Sequence, residues 1–203
     1  MRMQRMEFLP IWSYGERVYT GFWKRFWAGF VDLVITVSIW YAILRLEGTE
    51  KTIDTVFTVL SYILFSGYSI YFNARFGGTL GKLALGIRVT KPDGSPIGWP
   101  EAWKRSSVDL AFALVGLYVA LTALSRVDAG QYLGLGFQQR NVLLQTYHPK
   151  WFKAYGILEQ VWVWSELVVL LFNKRKRAIH DFIAGTVVVH KRFAEQIGAA
   201  NRQ

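Results

Sequence analysis

The sequence predicts an all-α integral membrane protein with four transmembrane helices. Four long, nearly uncharged apolar runs, a composition of 52% hydrophobic and 16% aromatic residues, and a strong bias in the placement of Lys and Arg support this fold class. About 20 consecutive apolar residues cross the hydrocarbon core of a bilayer. A soluble amphipathic helix would instead keep one polar face, which these runs lack.

The predicted spans cover about residues 26–44, 55–72, 106–124 and 154–172. The second span carries no ionised side chain, the first carries only Asp32, and the third carries only Asp109. The fourth carries Glu159 and Glu166 and is therefore the weakest of the four. We predict a cytoplasmic N-terminal segment (1–24), a four-span membrane domain (25–190) and a cytoplasmic C-terminal tail (191–203).

Orientation follows from the distribution of basic residues. Of the 24 Lys and Arg residues, 18 lie in the two terminal segments or between spans two and three, and six lie in the other two loops. The positive-inside rule therefore predicts that both termini are cytoplasmic, in a bacterial inner membrane. The net charge of +10 then favours contacts with anionic lipid rather than with nucleic acid.

The chain also contains a possible internal duplication. Residues 23–25 and 103–105 both read Trp-Lys-Arg and are followed by Val-Asp-Leu, while residues 72–73 and 172–173 both read Phe-Asn. Two parallel repeats of a helical hairpin, related by an axis along the membrane normal, would explain these matches.

Each predicted repeat ends in a short β-branched segment. These segments, near Val89 and Val188, are too short to span a bilayer and have strand-forming composition. We predict that they pair as a small ribbon on the cytoplasmic side of the bundle.

The carboxylates inside the predicted spans are costly and therefore candidate functional groups. At a rise of about 1.5 Å per residue, Asp32 and Glu166 would lie ~10 and ~9 Å inside the cytoplasmic surface. Together with Asp109 and Glu159, they could line a polar vestibule in which a proton exchanges for a cation. Alternatively, Arg25 pairs with Asp32 and Arg105 pairs with Asp109, and both pairs are structural.

His180-Asp181 follows a basic run, Lys174–Arg177. The imidazole could relay protons near neutral pH, or Asp181 could pair with Arg175, Arg177 or Lys82. The basic run itself is most simply a lipid-headgroup anchor. The histidines are not spaced like metal ligands, and the chain contains no cysteine. Neither a metal nor a cofactor is therefore predicted.

At these residues the chain resembles the RDD family of membrane proteins. The signature residues are Arg25 and Asp32 in the first span and His180-Asp181 near the C-terminal end. Residues 78–82 and 86–89 look like the central segment of that family, and residues 184–189 look like its C-terminal segment. The resemblance implies a transport function, and the exchange of cations for protons is one of the functions suggested for the family. Glu159 and Glu166 in the last span depart from the family pattern.

We therefore expect a transporter-like protein that exchanges protons for small cations. The alternative is a non-catalytic accessory subunit or assembly factor, present as a homo-oligomer or within a larger membrane complex. No arrangement of residues suggests an enzyme: no phosphate-binding glycine loop and no nucleophile elbow are present in the sequence.

Overall fold

The computed structural model describes residues 9–13, 15–44 and 50–200. Residues 1–8 and 14 of the predicted N-terminal segment, residues 45–49 of the predicted loop between spans one and two, and residues 201–203 of the predicted tail lie outside these ranges. In chain order the helices are α1 (Phe22–Leu44), α2 (Lys51–Phe76), α3 (Leu80–Ala84), α4 (Trp99–Arg126), α5 (Ala129–Leu133), α6 (Phe137–Thr146), α7 (Phe152–Phe172), α8 (Ile179–Ile183) and α9 (Lys191–Ala200).

Helices α1, α2, α4 and α7 are long and apolar enough to cross a membrane, which confirms the predicted set of four spans. Their apolar side chains face outward: Trp23 is 68% exposed, Trp164 61% and Phe172 85%. Soluble monomers rarely expose large apolar patches, whereas lipid solvates such surfaces. The chain is thus a multi-pass membrane protein.

The helices begin and end differently from the predicted spans. Helix α4 begins at Trp99 rather than at residue 106, because Pro100 suits a first turn and the Glu101 carboxylate accepts a hydrogen bond from the Gly98 backbone N–H at 2.8 Å. Helices α5 and α6 lie in the segment that was expected to be a loop. Asp128 caps α5 by accepting from the Gln131 backbone N–H at 2.9 Å.

The described residues also form four short strands. Strands β1 (Trp12–Ser13) and β2 (Glu16–Arg17) form one antiparallel pair, and β3 (Ile87–Thr90) and β4 (Val187–His190) form another, with Val89 opposite Val188. The two β-branched segments are therefore strands that pair with each other, as expected. Their cytoplasmic location stays a prediction.

Strand β4 is buried on both faces, which explains its uninterrupted valines. Val187 and Val189 pack in a cluster with Val18, Tyr19 and Phe193. Val188 points the opposite way and packs in a second cluster that includes Ala28, Ile87 and Val89. The backbone N–H of Thr20 also donates to the Val188 carbonyl at 2.9 Å, so the approach to α1 is tied to the ribbon.

The same local succession precedes β3 and β4. A five-residue helix, α3 or α8, leads to a glycine with positive φ, Gly86 (+64°) or Gly185 (+65°), and then to a four-residue strand. Glycine suits both positions because a Cβ disfavours the left-handed region. The arrangement of two parallel repeats about the membrane normal stays a prediction.

The described chain divides into two compact units. The first comprises residues 9–34, Tyr68–Ser107 and 162–200, and it contains both β pairs. The second comprises the described parts of Ile35–Gly67 and Val108–Val161, and it contains α5 and α6.

Candidate functional site: a buried ionic cluster in the first unit

Asp181 is the centre of the ionic cluster, and its carboxylate is fully buried, at 0% exposure. Nη1 of Arg25 donates to Oδ2 at 2.8 Å, and Nη1 of Arg105 donates to Oδ1. The Ala178 backbone N–H also donates to Oδ2, at 2.9 Å, so the side chain caps the first turn of α8. Each carboxylate oxygen therefore accepts from a guanidinium, which is the strong, charge-assisted form of the hydrogen bond.

The two guanidinium groups reach Asp181 from two different spans, Arg25 from the first turn of α1 and Arg105 from the second turn of α4. Arg25, near the start of α1, also donates to the main-chain carbonyls of Thr20 and Lys176. Arg105, near the start of α4, is 5% exposed and also donates to the Thr186 hydroxyl at 2.9 Å. Both arginines follow Trp-Lys, so the two matching sequence segments converge on a single carboxylate.

Burial alone would raise the pKa of Asp181, because it penalises the ionised form. The positive charges of Arg105 and Arg25 outweigh burial and hold the pKa of Asp181 well below its ordinary value. Asp181 is therefore a permanent anion near neutral pH, which makes it a structural centre rather than a proton acceptor.

His180 lies between Glu166 and Arg105. Its Nδ1 is 2.5 Å from Oε2 of Glu166, and its Nε2 is 2.6 Å from Nη2 of Arg105. A guanidinium only donates, so Nε2 must accept and the proton of the neutral ring must be on Nδ1, facing Glu166. Burial, followed by repulsion from Arg105, lowers the pKa of His180, in agreement with a neutral imidazole.

Lys82 and Arg177, two further predicted charge partners, also belong to this unit. Arg177 is buried and donates to the main-chain carbonyls of Thr186 at 3.0 Å and Asp181 at 2.9 Å. It is therefore turned inward, which corrects the interpretation of the whole basic run as a lipid anchor. Burial, followed by repulsion from Arg105, lowers the pKa of Lys82 to about 7.

Asp32 has different partners from those predicted. Its Oδ1 accepts from the Tyr68 hydroxyl at 2.6 Å and from the Gly81 backbone N–H at 2.7 Å, and its Oδ2 accepts from the Thr79 hydroxyl at 2.5 Å. Arg25 binds Asp181 instead, so the alternative of a structural Arg25–Asp32 pair is wrong. The helix-terminal backbone and two hydroxyls supply donors that the sequence alone did not reveal.

The other predicted carboxylates divide between the units. Glu166 belongs to the first unit with Asp32, whereas Asp109 and Glu159 belong to the second. Arg105 forms its ion pair with Asp181 and not, as expected, with Asp109. Asp32 accepts from Tyr68, Thr79 and Gly81, whereas Glu166 contacts His180.

The sequence did not lead us to predict that Arg25 and Arg105 pair with Asp181, although the repeated Trp-Lys-Arg segments point to it. Two arginines at matching positions suggest one shared acidic partner, and Asp181 is the acid that follows the matching Phe-Asn segment. For the described residues, no group of three or more His, Cys, Asp and Glu side chains could hold a metal ion.

The four candidate spans and the buried ionic cluster define a polytopic membrane protein. The sequence profile of the RDD family matches residues 19–185. That range covers most of the chain and includes Arg25, Asp32, His180 and Asp181, so the protein belongs to the RDD family. It is also 24% identical, over 184 residues, to the uncharacterized membrane protein YteJ of Bacillus subtilis (strain 168), which covers 86% of this chain and 82% of that one. No solved structure matches the chain.

Proposed function

We propose that this RDD family protein exchanges protons for small cations across the membrane, with the Glu166–His180 pair as the proton-binding element. One observation carries the proposal: a carboxylate in the last span is joined through a neutral imidazole to a buried guanidinium. Ionisable groups inside spans are expensive and usually functional.

The charges around His180 favour this assignment. Arg25 and Arg105 share the single charge of Asp181, which leaves one positive charge in excess. Glu166 contacts His180, which in turn contacts Arg105, so the carboxylate lies one residue away from this excess charge. Asp181 itself is too acidic to exchange a proton in the physiological range.

Protonation of His180 would change the contacts of Arg105. An imidazolium donates from both nitrogens, so Nε2 could no longer accept from Nη2, and two cations would stand 2.6 Å apart. Proton uptake therefore disfavours the present position of Arg105, at the start of α4. When His180 is deprotonated, the Glu166 carboxylate carries the negative charge that a small cation could neutralise.

The cluster would lie at the cytoplasmic end of the bundle, with both termini in the cytoplasm of a bacterial cell. The excess of basic residues on that side supports this orientation. Matching local structure before β3 and β4, together with the convergence of Arg25 and Arg105, supports two parallel repeats.

The test is proton flux in proteoliposomes that contain the purified chain. We expect Na⁺, K⁺ or Li⁺ to release or take up protons with wild-type protein, and Glu166→Gln to abolish this flux. Glu159→Gln is the matched control, because Glu159 lies in the same helix but outside the cluster. The absence of cation-dependent flux in wild type, or equal flux in Glu166→Gln, would end the exchange proposal.

The alternative is an accessory subunit or assembly factor of a larger membrane complex. It is favoured by the fully buried Asp181, which two arginines hold as a structural ion pair, and by exposed tryptophans that suit protein as well as lipid contacts. Gentle detergent extraction of the tagged chain should then retain stoichiometric partner proteins. Retained partners together with no proton flux would favour the subunit function.

A further inference from the structure

A cavity of about 440 Å³ lies beside strand β3 and shares no residue with the ionic cluster around Asp181. Its walls come from the end of α2, from β3 and the turn that follows it, and from α9. All of these segments belong to the first unit. The volume is in the range of small-molecule sites, which combine apolar walls with a few placed polar groups.

Two guanidinium groups line this cavity. Arg75 lies in the last turn of α2 and Arg88 lies in β3. A Cβ at Gly77 would be 3.9 Å from Nη1 of Arg88, so the Arg88 side chain reaches the segment directly after Arg75. Arginine side chains from two separate elements therefore meet at one cavity.

The charges of these two arginines are not neutralised locally. Among the described residues, no carboxylate oxygen lies within 4.0 Å of a guanidinium nitrogen of Arg75 or Arg88. Glu195 also lines the cavity, but its side chain is 65% exposed and lies 3.5 Å from Nζ of Lys191. The cavity therefore carries an excess of positive charge.

Thr90 adds a buried hydroxyl to the same wall. It is 4% exposed and lines the cavity, and within the described ranges its Oγ1 has no hydrogen-bond partner. Alternate residues of a strand point to the same face, so Thr90 and Arg88 share a face of β3, while Ile87 and Val89 pack together in a core cluster. A buried hydroxyl without a partner is costly, which favours a ligand that accepts its hydrogen bond.

We propose that this cavity binds a phosphate monoester, with Arg75 and Arg88 as the counter-charges and the Thr90 hydroxyl as a hydrogen-bond donor. Such a group carries a charge of about −1.5 to −2 at neutral pH, which two guanidinium groups match, and the arginine fork suits phosphate oxygens. A cation would meet two arginines, and a neutral molecule would leave both charges uncompensated. Phe76 and Ile97, which also line the cavity, offer apolar contacts to the organic part.

The monoester has two possible sources, the headgroup of a lipid such as phosphatidic acid or a soluble molecule. Arg75 lies at the end of a candidate span, where the surface of the bilayer would begin, so the cavity is within reach of both. The proposal does not depend on proton exchange, because none of these side chains belongs to the Glu166–His180 pair.

Calorimetric titration of the full chain in phosphate-free maltoside micelles tests the proposal. The probes are glycerol 3-phosphate, glycerol as its neutral counterpart and acetate as a monovalent anion. We expect glycerol 3-phosphate to bind, acetate to bind at least tenfold more weakly, and glycerol not to bind. Acetate or glycerol binding as tight as that of glycerol 3-phosphate would overturn the proposal.

Dioctanoyl phosphatidic acid, with dioctanoyl phosphatidylcholine as its control, separates the two sources. A lipid source predicts that the phosphatidic acid binds more tightly than glycerol 3-phosphate, whereas a soluble source predicts that it does not. Binding of the phosphatidylcholine as tight as that of the phosphatidic acid, or binding of neither monoester, would contradict the site.

Variants assign the binding to these side chains. Arg75→Gln and Arg88→Gln should each weaken the affinity for glycerol 3-phosphate at least tenfold. Thr90→Val should weaken it about threefold or more without lowering the unfolding temperature, because the hydroxyl satisfies no other described group. Arg126→Gln, an exposed change of the same kind in the second unit, should leave the affinity unchanged. If Arg88→Gln fails to fold, the other two variants still decide, since unchanged affinity in both contradicts the site.

Discussion

Glu166 holds His180 through both its backbone and its ring. One carboxylate oxygen accepts from the His180 backbone N–H at 2.8 Å, and the other lies 2.5 Å from Nδ1. A carboxylate from the last span thus selects both the position of α8 and the tautomer of the imidazole.

His180 should be neutral with its proton on Nδ1 at pH 6.5. Burial and Arg105 lower its pKa, so it should resist protonation where an ordinary imidazole is about half charged. With three histidines in the chain, ¹⁵N spectra of His148→Gln and His190→Gln would assign its signals. An imidazolium at pH 6.5, or a proton on Nε2, would contradict the geometry.

Asp181→Asn should destabilise the protein severely. The change leaves Arg25 and Arg105 without their shared anion, and breaking a buried pair typically costs about 3–5 kcal/mol. Thermal unfolding in detergent measures the effect. Glu195→Gln, which removes an exposed pair with Lys191, is the control and should change stability by less than about 0.5 kcal/mol. An equally small effect for Asp181→Asn would refute the central role of that carboxylate.

Asp32→Asn should cost less than Asp181→Asn. Its partners are two hydroxyls and one backbone N–H, and an amide could keep some of these bonds, so we expect a loss of about 1–3 kcal/mol. Tyr68→Phe removes one donor and should cost about 1 kcal/mol. The same unfolding assay ranks the three variants, and a larger loss for Asp32→Asn than for Asp181→Asn would show that the ranking is wrong.

Gly81→Ala should prevent α3 from approaching α1. A Cβ at Gly81 would lie 2.0 Å from the Ala28 carbonyl oxygen and 2.9 Å from Cγ of Asp32, so a backbone must move. Gly29→Ala is the matched control, because nothing lies within 4 Å of its Cβ and alanine favours a helix by up to about 1 kcal/mol. Unfolding temperatures should fall for Gly81→Ala and hold or rise for Gly29→Ala. Equal temperatures would argue against the close approach.

Lys82 should make stability depend on pH above neutrality. Its pKa is about 7 in the folded state, against 10.5 ordinarily, so between these values the unfolded chain binds more protons. Stability should therefore fall as pH decreases from 10.5 to 7 and level off below, by up to about 1.4 kcal/mol per pH unit. The free energy of unfolding should depend less steeply on pH in Lys82→Met than in wild type. Lys191→Met, with an exposed side chain, should keep the wild-type slope, and a Lys82→Met slope equal to wild type would contradict the shift.

The spans and the ribbon strands were predictable because each depends on local composition. An apolar run long enough to cross a bilayer favours a helix, and consecutive β-branched residues favour a strand. Helices α5 and α6 were missed because they are short, and their start signals, such as the Asp128 cap, are common in loops as well.

The pairing of the charges could not be predicted from spacing along the chain. Arg25 lies seven residues from Asp32 in one helix, yet it binds Asp181, 156 residues away. Asp32 instead faces donors from α2 and from the start of α3. Spacing within one helix identifies neighbours on that helix, but it does not identify which other helix packs against it.

The sequence by itself determined that this protein spans a membrane, how many spans it has and which family it belongs to, because these depend on long apolar runs and on a set of recurring residues. Only the tertiary structure decided that Arg25 and Arg105 meet on Asp181, that Glu166 holds His180, and that Arg75 and Arg88 border one cavity. Such contacts join side chains from separate segments, and a buried charge binds whichever partner packing brings within hydrogen-bonding distance.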